Sequence, residues 1–227
     1  MNWIKQVKLL EYGALIKKEN ILIIADLHLG YETYLQKKGI FIPKNQFSET
    51  IKRIKKMVEQ TKPKKIIFAG DIKHDFENMS YEARITIKKL INNFKKQELI
   101  FLKGNHDTFL KHVLEKHGYK FKETFETQEF LITHGHKKIK TKKTLIIGHE
   151  HPAIMLKDEL GTQHKFKCHL VGEKLLVIPA ISVLATGTIV NENKKALSPL
   201  ITNLDELKPI IQELEFPKIK KLKKIVK

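Results

Sequence analysis

Residues 21–30 read ILIIADLHLG, an apolar run that enters Asp26 and His28 with no turn residue in between. Five apolar residues rich in isoleucine and flanked by polar chain are what a strand buried on both faces looks like. Asp26 and His28 stand two residues apart, so in extended chain their side chains leave from the same face and can share one ion. The strand thus ends in chemistry, and the fold depends on whether other strands do the same.

Outward from this run, residues 7–16 and a polar turn at 17–20 predict a hairpin leading into the strand. Residues 45–60 carry Phe47, Ile51, Ile54 and Val58 at helical spacing with lysines and an arginine opposite, and Pro63 closes the helix. KKIIFAGD at 64–71 predicts a second strand, residues 81–96 a second amphipathic helix and 98–102 a third strand. That alternation predicts parallel strands joined by crossover helices, with ligands bound beyond the carboxyl ends of the strands. From about residue 125 the pattern shifts to short strands, predicted at 129–133, 144–148, 165–171, 174–178 and 183–190, followed by a helix over 203–213. A chain of 227 residues suits one core. The expected organisation is a single domain over residues 1–215 and a basic, disordered tail over 216–227, without internal repeats.

The expected strand ends share a character. The second presents Gly70-Asp71 and then His74; the third presents Gly104-Asn105-His106-Asp107; later ones present Thr133-His134-Gly135-His136 and Gly148-His149-Glu150-His151. Singly, each has an ordinary reading as a helix cap, a turn or a surface histidine. Together they gather six of the eleven histidines, whereas His112, His117, His164 and His169 fall inside elements and His136 is open to either reading. A donor set of nitrogen and oxygen without thiolate suits divalent manganese, iron or zinc. Two such ions about 3.5–4 Å apart need a bridging carboxylate, and Asp71 is the choice for it.

In order, DLH, GDIKH, GNHD, THGH and GHEH resemble the calcineurin-like metallophosphoesterases over residues 21–190. ADLHLGYE, GDIKHDF and VIPAISVLATGT are similar to the SbcD-related branch, with the small archaeal phosphoesterases and the bacterial PdeM proteins as relatives. The resemblance implies an α/β fold of two packed mixed β-sheets flanked by helices, a four-layer sandwich. It implies Asp26, His28, Asp71 and His151 at one metal, and Asp71, Asn105, His134 and His149 at the second. His106 takes the catalytic histidine role with Asp107 orienting its ring, and His74 lies beside the site to steer the phosphate. The implied chemistry is direct hydrolysis by water, with no covalent intermediate on the enzyme. Manganese is the first cation expected, with zinc, iron, nickel or cobalt as alternatives.

Forty-three Lys+Arg against 25 Asp+Glu leave a formal charge of +18, which draws polyanions and makes nucleic acid the first partner expected. KKIKTKK at 137–143 directly follows THGH, and the tail KIKKLKKIVK has no acidic residue. The expected activity is therefore a phosphodiesterase, a DNA nuclease linked to repair with a helicase or ligase partner. Small phosphoesters such as cyclic nucleotides, or a non-catalytic module of the same fold, are the alternatives. The 76 residues after His151 leave less chain than the large SbcD-type nucleases use to hold duplex DNA, so the expectation is short, single-stranded or damaged substrates, or a partner that delivers them. A single cysteine, Cys168, excludes an intramolecular disulfide, and no apolar run reaches membrane-span or signal-peptide length, so the expected location is cytoplasmic.

Overall fold

The chain opens with β1 (Val7–Leu10), β2 (Gly13–Ile16) and β3 (Ile21–Ile24), each antiparallel to the next. β4 (Lys65–Ala69), β5 (Glu98–Leu102) and β6 (Phe121–Lys122) then add in parallel, giving a six-stranded sheet in sequence order. The computed structural model describes residues 3–75, 79–193 and 195–225. Crossovers between the parallel strands carry α1 (Tyr31–Lys37), α2 (Gln46–Thr61), α3 (Tyr81–Asn93) and α4 (Leu110–Lys116).

The remaining strands are β7 (Thr124–Glu126), β8 (Phe130–Thr133), β9 (Thr144–Ile147), β10 (Pro152–Lys157), β11 (Gln163–Lys167), β12 (His169–Gly172), β13 (Leu175–Val177), β14 (Thr188–Ile189), β15 (Lys208–Ile211) and β16 (Leu214–Glu215). Seven of them form a second mixed sheet in the order β16-β15-β12-β13-β9-β8-β7, and β11-β10-β14 make a small third sheet. A last helix, α5, spans Ile219–Ile225. Two mixed sheets flanked by helices are the architecture expected.

Strand alternation explains why the central strands are apolar throughout. Ile21 and Ile23, Ile67 and Ala69, and Ile100 and Leu102 face the second sheet, where they meet Phe130, Ile132, Ile146, Leu176 and Ile178. Their neighbours Leu22, Ile24, Ile66, Phe68, Leu99 and Phe101 face the helices and meet Ile51, Ile54, Met57, Ile87, Leu90 and Leu114. A third core behind the second sheet holds Ile147, Leu170, Val177, Leu204 and Leu207. Both faces of β3, β4 and β5 are thus dry, and only their ends meet water. That arrangement places the polar residues that follow each strand along one edge of the sandwich.

The structure corrects three expectations. The helix expected over 203–213 is a single 3-10 turn, Leu204–Glu206, followed by the β15–β16 hairpin, which turns through Gln212 at φ 53°. Pro209 lacks the amide a helix interior needs, and it sits opposite Leu170 in β15 with the β-branched pair Ile210-Ile211 behind it. The strand expected at 165–171 breaks at Cys168 into β11 and β12, which belong to different sheets. The tail expected to be disordered is ordered up to residue 225. Ile219 and Leu222, three apart on one helical face, are buried in the third core, while Lys218 and Lys220 pair with Glu206 and Lys223 with Asp205. Val226 and Lys227, the end of that expected tail, lie outside the described residues. α1 and β10 were not anticipated.

His169 is buried in β12 and donates from Nε2 to the Gly13 carbonyl at 3.0 Å. Burial holds its imidazole down to about 4, against an ordinary 6.5. Because the folded value lies below the unfolded one, this stabilisation is complete above pH 6.5 and is lost as pH falls from 6.5 toward 4. The loss amounts to about 3 kcal/mol. Urea unfolding of His169→Gln, which keeps a donor and cannot titrate, is expected to show a shallower acid decline than the wild type across that interval; equal slopes would assign the decline elsewhere.

Candidate metal centre

The loops after β3, β4, β5, β8 and β9 meet at one edge because these strands are parallel within their sheets. Backbone bonds knit them: Asp26 N donates to Gly70 O, His28 N to Asp71 O, Leu29 N to Ile72 O and Gly148 N to His134 O, all within 3.1 Å. Segment 180–182 closes the bottom, with Ile181 N on Ala25 O and Ser182 N on Asp26 O.

Asp26, His28, Asp71, His149 and His151 all have left-handed backbones, with φ between 46° and 66°. Side chains with a Cβ adopt this region only at a cost of about 1–3 kcal/mol each, and such residues cluster at functional sites. The neighbouring glycines show how close the approach is. A Cβ on Gly104 would overlap the Asp71 carboxylate and amide; on Gly148 it would lie 2.5 Å from Ala25 and 2.7 Å from Asp26; on Gly70, already at φ +88°, it would lie 2.6 Å from the His134 ring. The glycines of GD, GNHD and GHEH are therefore where one loop's backbone rests against another loop's donor.

Among the described residues, three groups of donors lie close enough to hold a cation; one is His28, His74 and His106 at the rim, and the other two share Asp71. Oxygen and nitrogen atoms of Asp26, His28, Asp71 and His151 lie within 4.8 Å of one another, as do those of Asp71, His134 and His149. Asn105 joins the second group, its Oδ1 3.1 Å from His134 Nε2. Asp71 belongs to both, with Oδ2 at 3.4 Å from His134 Nε2 and 3.7 Å from His28 Nε2. Ring nitrogens face one another across each group, His28 Nε2 to His151 Nε2 at 3.3 Å and His149 Nδ1 to His134 Nε2 at 3.2 Å. Lone pairs directed at a common point, with no thiolate among them, fit a divalent first-row cation.

The protonation pattern agrees with this fit. Burial disfavours charge on His28, holding it down to about 3, and on His149, holding it to about 4. Burial opposes the ionised form of Asp26 and Asp71 as well, yet the neighbouring histidines outweigh it and keep both carboxyls below their ordinary range. His134 is pushed up to about 9 and His151 is also raised, since Asp71 and Asp26 overcome the burial of both rings. The carboxylate pair thus favours positive charge on those two rings, the sign of charge a bound cation would bring.

His106 and His74 sit at the rim. His106 donates from Nδ1 to the His74 carbonyl at 2.6 Å, which turns Nε2 toward Asp71, 3.8 Å away. His74 stacks on Tyr31 with ring centroids 3.8 Å apart, and its Nδ1 lies 3.3 Å from His28 Nδ1. His28 Nε2 faces the metal group, so the Nδ1 contact is the one that sets the tilt of its ring. Asp107 departs from expectation. Instead of orienting the His106 ring, its buried carboxylate accepts backbone N–H groups from Ile72, Lys73 and Gly104 at 2.8–3.2 Å, tying the third loop to the second. Burial, with the Asp71 charge nearby, pushes its carboxyl up to about 7.

Two supports were missed. Gln46, at the start of α2, is buried and donates Nε2 to the His28 carbonyl at 2.8 Å and to Ser182 Oγ at 3.1 Å, bracing the left-handed turn. Glu150, between His149 and His151, accepts N–H groups of Leu197 and Ser198, while Ser198 Oγ donates to Gly135 O. The alternation H-E-H was the only signal for Glu150, and Gln46 had none beyond being a polar residue on an apolar helix face. His136 stands 5.2 Å from the His134 ring and joins none of these groups. Cys168 is buried, and burial raises its thiol far above the ordinary value, so it offers no nucleophile.

Comparison with solved structures finds a similar fold in a Pseudomonas putida nuclease, MPE, at TM-score 0.67 and 15% identity, covering 88% of this chain and 92% of that one. YfcE, a phosphoesterase from E. coli, aligns at TM-score 0.40 and 14% identity over 72% of this chain and 80% of that one. No curated protein matches. The family model described as calcineurin-like phosphoesterase matches residues 19–180, a span that opens just before β3 and takes in every donor named above. With that match added to two mixed sheets and a nitrogen–oxygen donor cluster at their shared edge, the chain belongs to the calcineurin-like phosphoesterases and is a metal-dependent enzyme of that family.

Proposed function

We propose that this phosphoesterase is a two-metal phosphodiesterase acting on nucleic-acid diesters. The observation that carries the reading is one carboxylate, Asp71, shared by two converging donor groups. In this reading Asp26, His28, Asp71 and His151 hold one cation, and Asp71, Asn105, His134 and His149 the other. When bound, two cations would supply Lewis acidity to a phosphoryl group and would make water at the site more acidic. The chain does the rest. His106 has its Nδ1 committed to the His74 carbonyl, so Nε2 is the atom that can pass a proton to the departing oxygen. His74 fixes His106 through its carbonyl and His28 through its ring, and in this reading the half-buried ring steers the phosphate.

Charge supports a polyanionic substrate. Lys138, Lys140 and Lys142 are exposed on the segment that follows the His134 loop, while Lys137 and Lys143 at its ends are tied to Glu123 and Glu126. The fold shared with the nuclease MPE supports the reading of a nucleic-acid substrate. Manganese as the cation, a role in DNA repair and a helicase or ligase partner are part of the proposal and rest on the SbcD-like wording of ADLHLGYE and VIPAISVLATGT. Among the described residues no helix is long and apolar enough to cross a membrane.

The test is hydrolysis of bis-p-nitrophenyl phosphate beside p-nitrophenyl phosphate after chelation and re-addition of manganese, zinc, nickel, cobalt or magnesium. Diester cleavage is expected to vanish on chelation and to return with manganese. Cleavage of the monoester alone would replace this reading with that of a small-molecule phosphatase.

A further inference from the structure

Phe109 closes the loop that carries Asn105, His106 and Asp107, and two features of it lack a structural return. Its backbone is left-handed, φ 63°, and its side chain is 66% exposed. A bulky residue in this region is a genuine outlier, and an exposed phenylalanine buries little to offset the cost. The ring borders a cavity of about 540 Å³ that opens beside the catalytic loop. Met79, Arg84, Lys111, His112, Val113 and Glu115 line the same cavity. Arg84 is exposed on α3, and Lys111 and His112 are exposed on α4. The Arg84 Nε–H reaches the Met79 carbonyl at 3.4 Å, and Lys111 shares its charge with Glu115 at 3.8 Å.

From this we infer that the Phe109 cavity is a nucleobase subsite for a single-stranded substrate, a reading that rests on the proposed phosphodiesterase activity. The chemistry is specific: a flat aromatic face open to solvent, a thioether at its side, and the cations Arg84 and Lys111 on an edge that also holds the Glu115 carboxylate. Every base has a π-face, so an exposed ring takes one without regard to sequence, and the surrounding charges suit the phosphate attached to it. Distance selects which base. Phe109 stands three positions after His106, a Cα–Cα span of at most about 11 Å, so the base held is one beside the scissile phosphate, on the side where His106 meets the departing oxygen. Duplex DNA keeps its bases stacked on one another and cannot offer one to this ring without unpairing. A preference for single strands follows from such a subsite.

The experiment uses Phe109→Ala, Phe109→Trp and Phe109→Gly in the full chain. A short single-stranded oligonucleotide carrying 2-aminopurine is titrated onto chelator-treated protein, and its fluorescence reports stacking without turnover. The wild type and Phe109→Trp are expected to quench it. Phe109→Ala and Phe109→Gly are expected to bind about tenfold more weakly without quenching, and to raise KM for the oligonucleotide by a similar factor. Hydrolysis of bis-p-nitrophenyl phosphate is expected to be the same in all four proteins. Phe109→Gly, freed of the left-handed strain, is expected to melt no lower than the wild type, which separates lost stacking from lost folding. Unchanged affinity and quenching in Phe109→Ala would overturn the subsite, as would equal losses on the oligonucleotide and the small diester. A wild type inert toward every diester would overturn the proposed activity instead, and the quenching titration would still decide the subsite.

Discussion

Asp71→Asn is expected to lower diester hydrolysis by about a thousandfold or more and to reduce bound metal below one ion per chain. The substitution keeps the shape of the side chain and removes its charge. Oδ2 faces ring nitrogens of His28, His106 and His134 at 3.4–3.8 Å, while Oδ1 accepts the His106 backbone N–H at 2.9 Å. An amide oriented to keep the second contact presents its NH2 to three imidazoles, where a shared ligand needs lone pairs. The two groups of donors would then lose the atom that joins them, so the loss is expected at both cations. Elemental analysis of the purified variant measures the metal, and steady-state kinetics measures the rate. A variant that holds two ions and works within tenfold of the wild type would remove Asp71 from the centre. Gly104→Ala tests the same atom from the other side. Its Cβ would collide with the Asp71 carboxylate, so it is expected to reduce activity and metal content together although Gly104 offers no ligand.

Much of the fold and of the candidate site was legible because each signal is local. A strand buried on both faces announces itself as an apolar run, and a parallel strand delivers whatever follows it to the ligand-binding edge. Asp26, His28, Asp71, His149 and His151 could therefore be gathered from three separate segments before any contact was known. Their left-handed backbones were not legible, since nothing in D-L-H or G-D names a φ. Illegible features have one thing in common: their partner is backbone, or lies far along the chain. Gln46 holds the His28 carbonyl, and Asp107 holds amides 34 and 35 residues away. Carbonyls and amides occur at every position, so no residue pattern marks the one that is used. The C-terminal helix shows the same limit. Its lysines read as a free cationic tail until Asp205 and Glu206, donated by a 3-10 turn misread as part of a longer helix, appear beside them.

The adjacent residues His106 and Asp107 provide the sharpest separation of chemistry from scaffold. His106→Ala is expected to reduce kcat by about 10²–10⁴-fold with both metals retained and the melting temperature unchanged. The loss is expected to depend on the leaving group. Nitrophenolate departs without help, so p-nitrophenyl esters should be affected least, and alkyl or nucleoside esters, whose departing oxygen must receive a proton, should be affected most. Asp107→Ala is expected to behave differently, because its carboxylate satisfies the N–H groups of Gly104, Ile72 and Lys73 in a buried place. Removing it strands three donors, at about 1–3 kcal/mol for each that finds no other partner. The variant should therefore lose about 3 kcal/mol or more by urea unfolding and lose activity evenly across leaving groups, as the loop that carries Asn105 and His106 drifts from the loop that carries Asp71. Were Asp107→Ala to keep its stability and show the leaving-group dependence of His106→Ala, Asp107 would act through the imidazole after all, as GNHD first suggests. The geometry predicts the opposite, since His106 takes its orientation from the carbonyl of His74 and Asp107 is spent on the backbone.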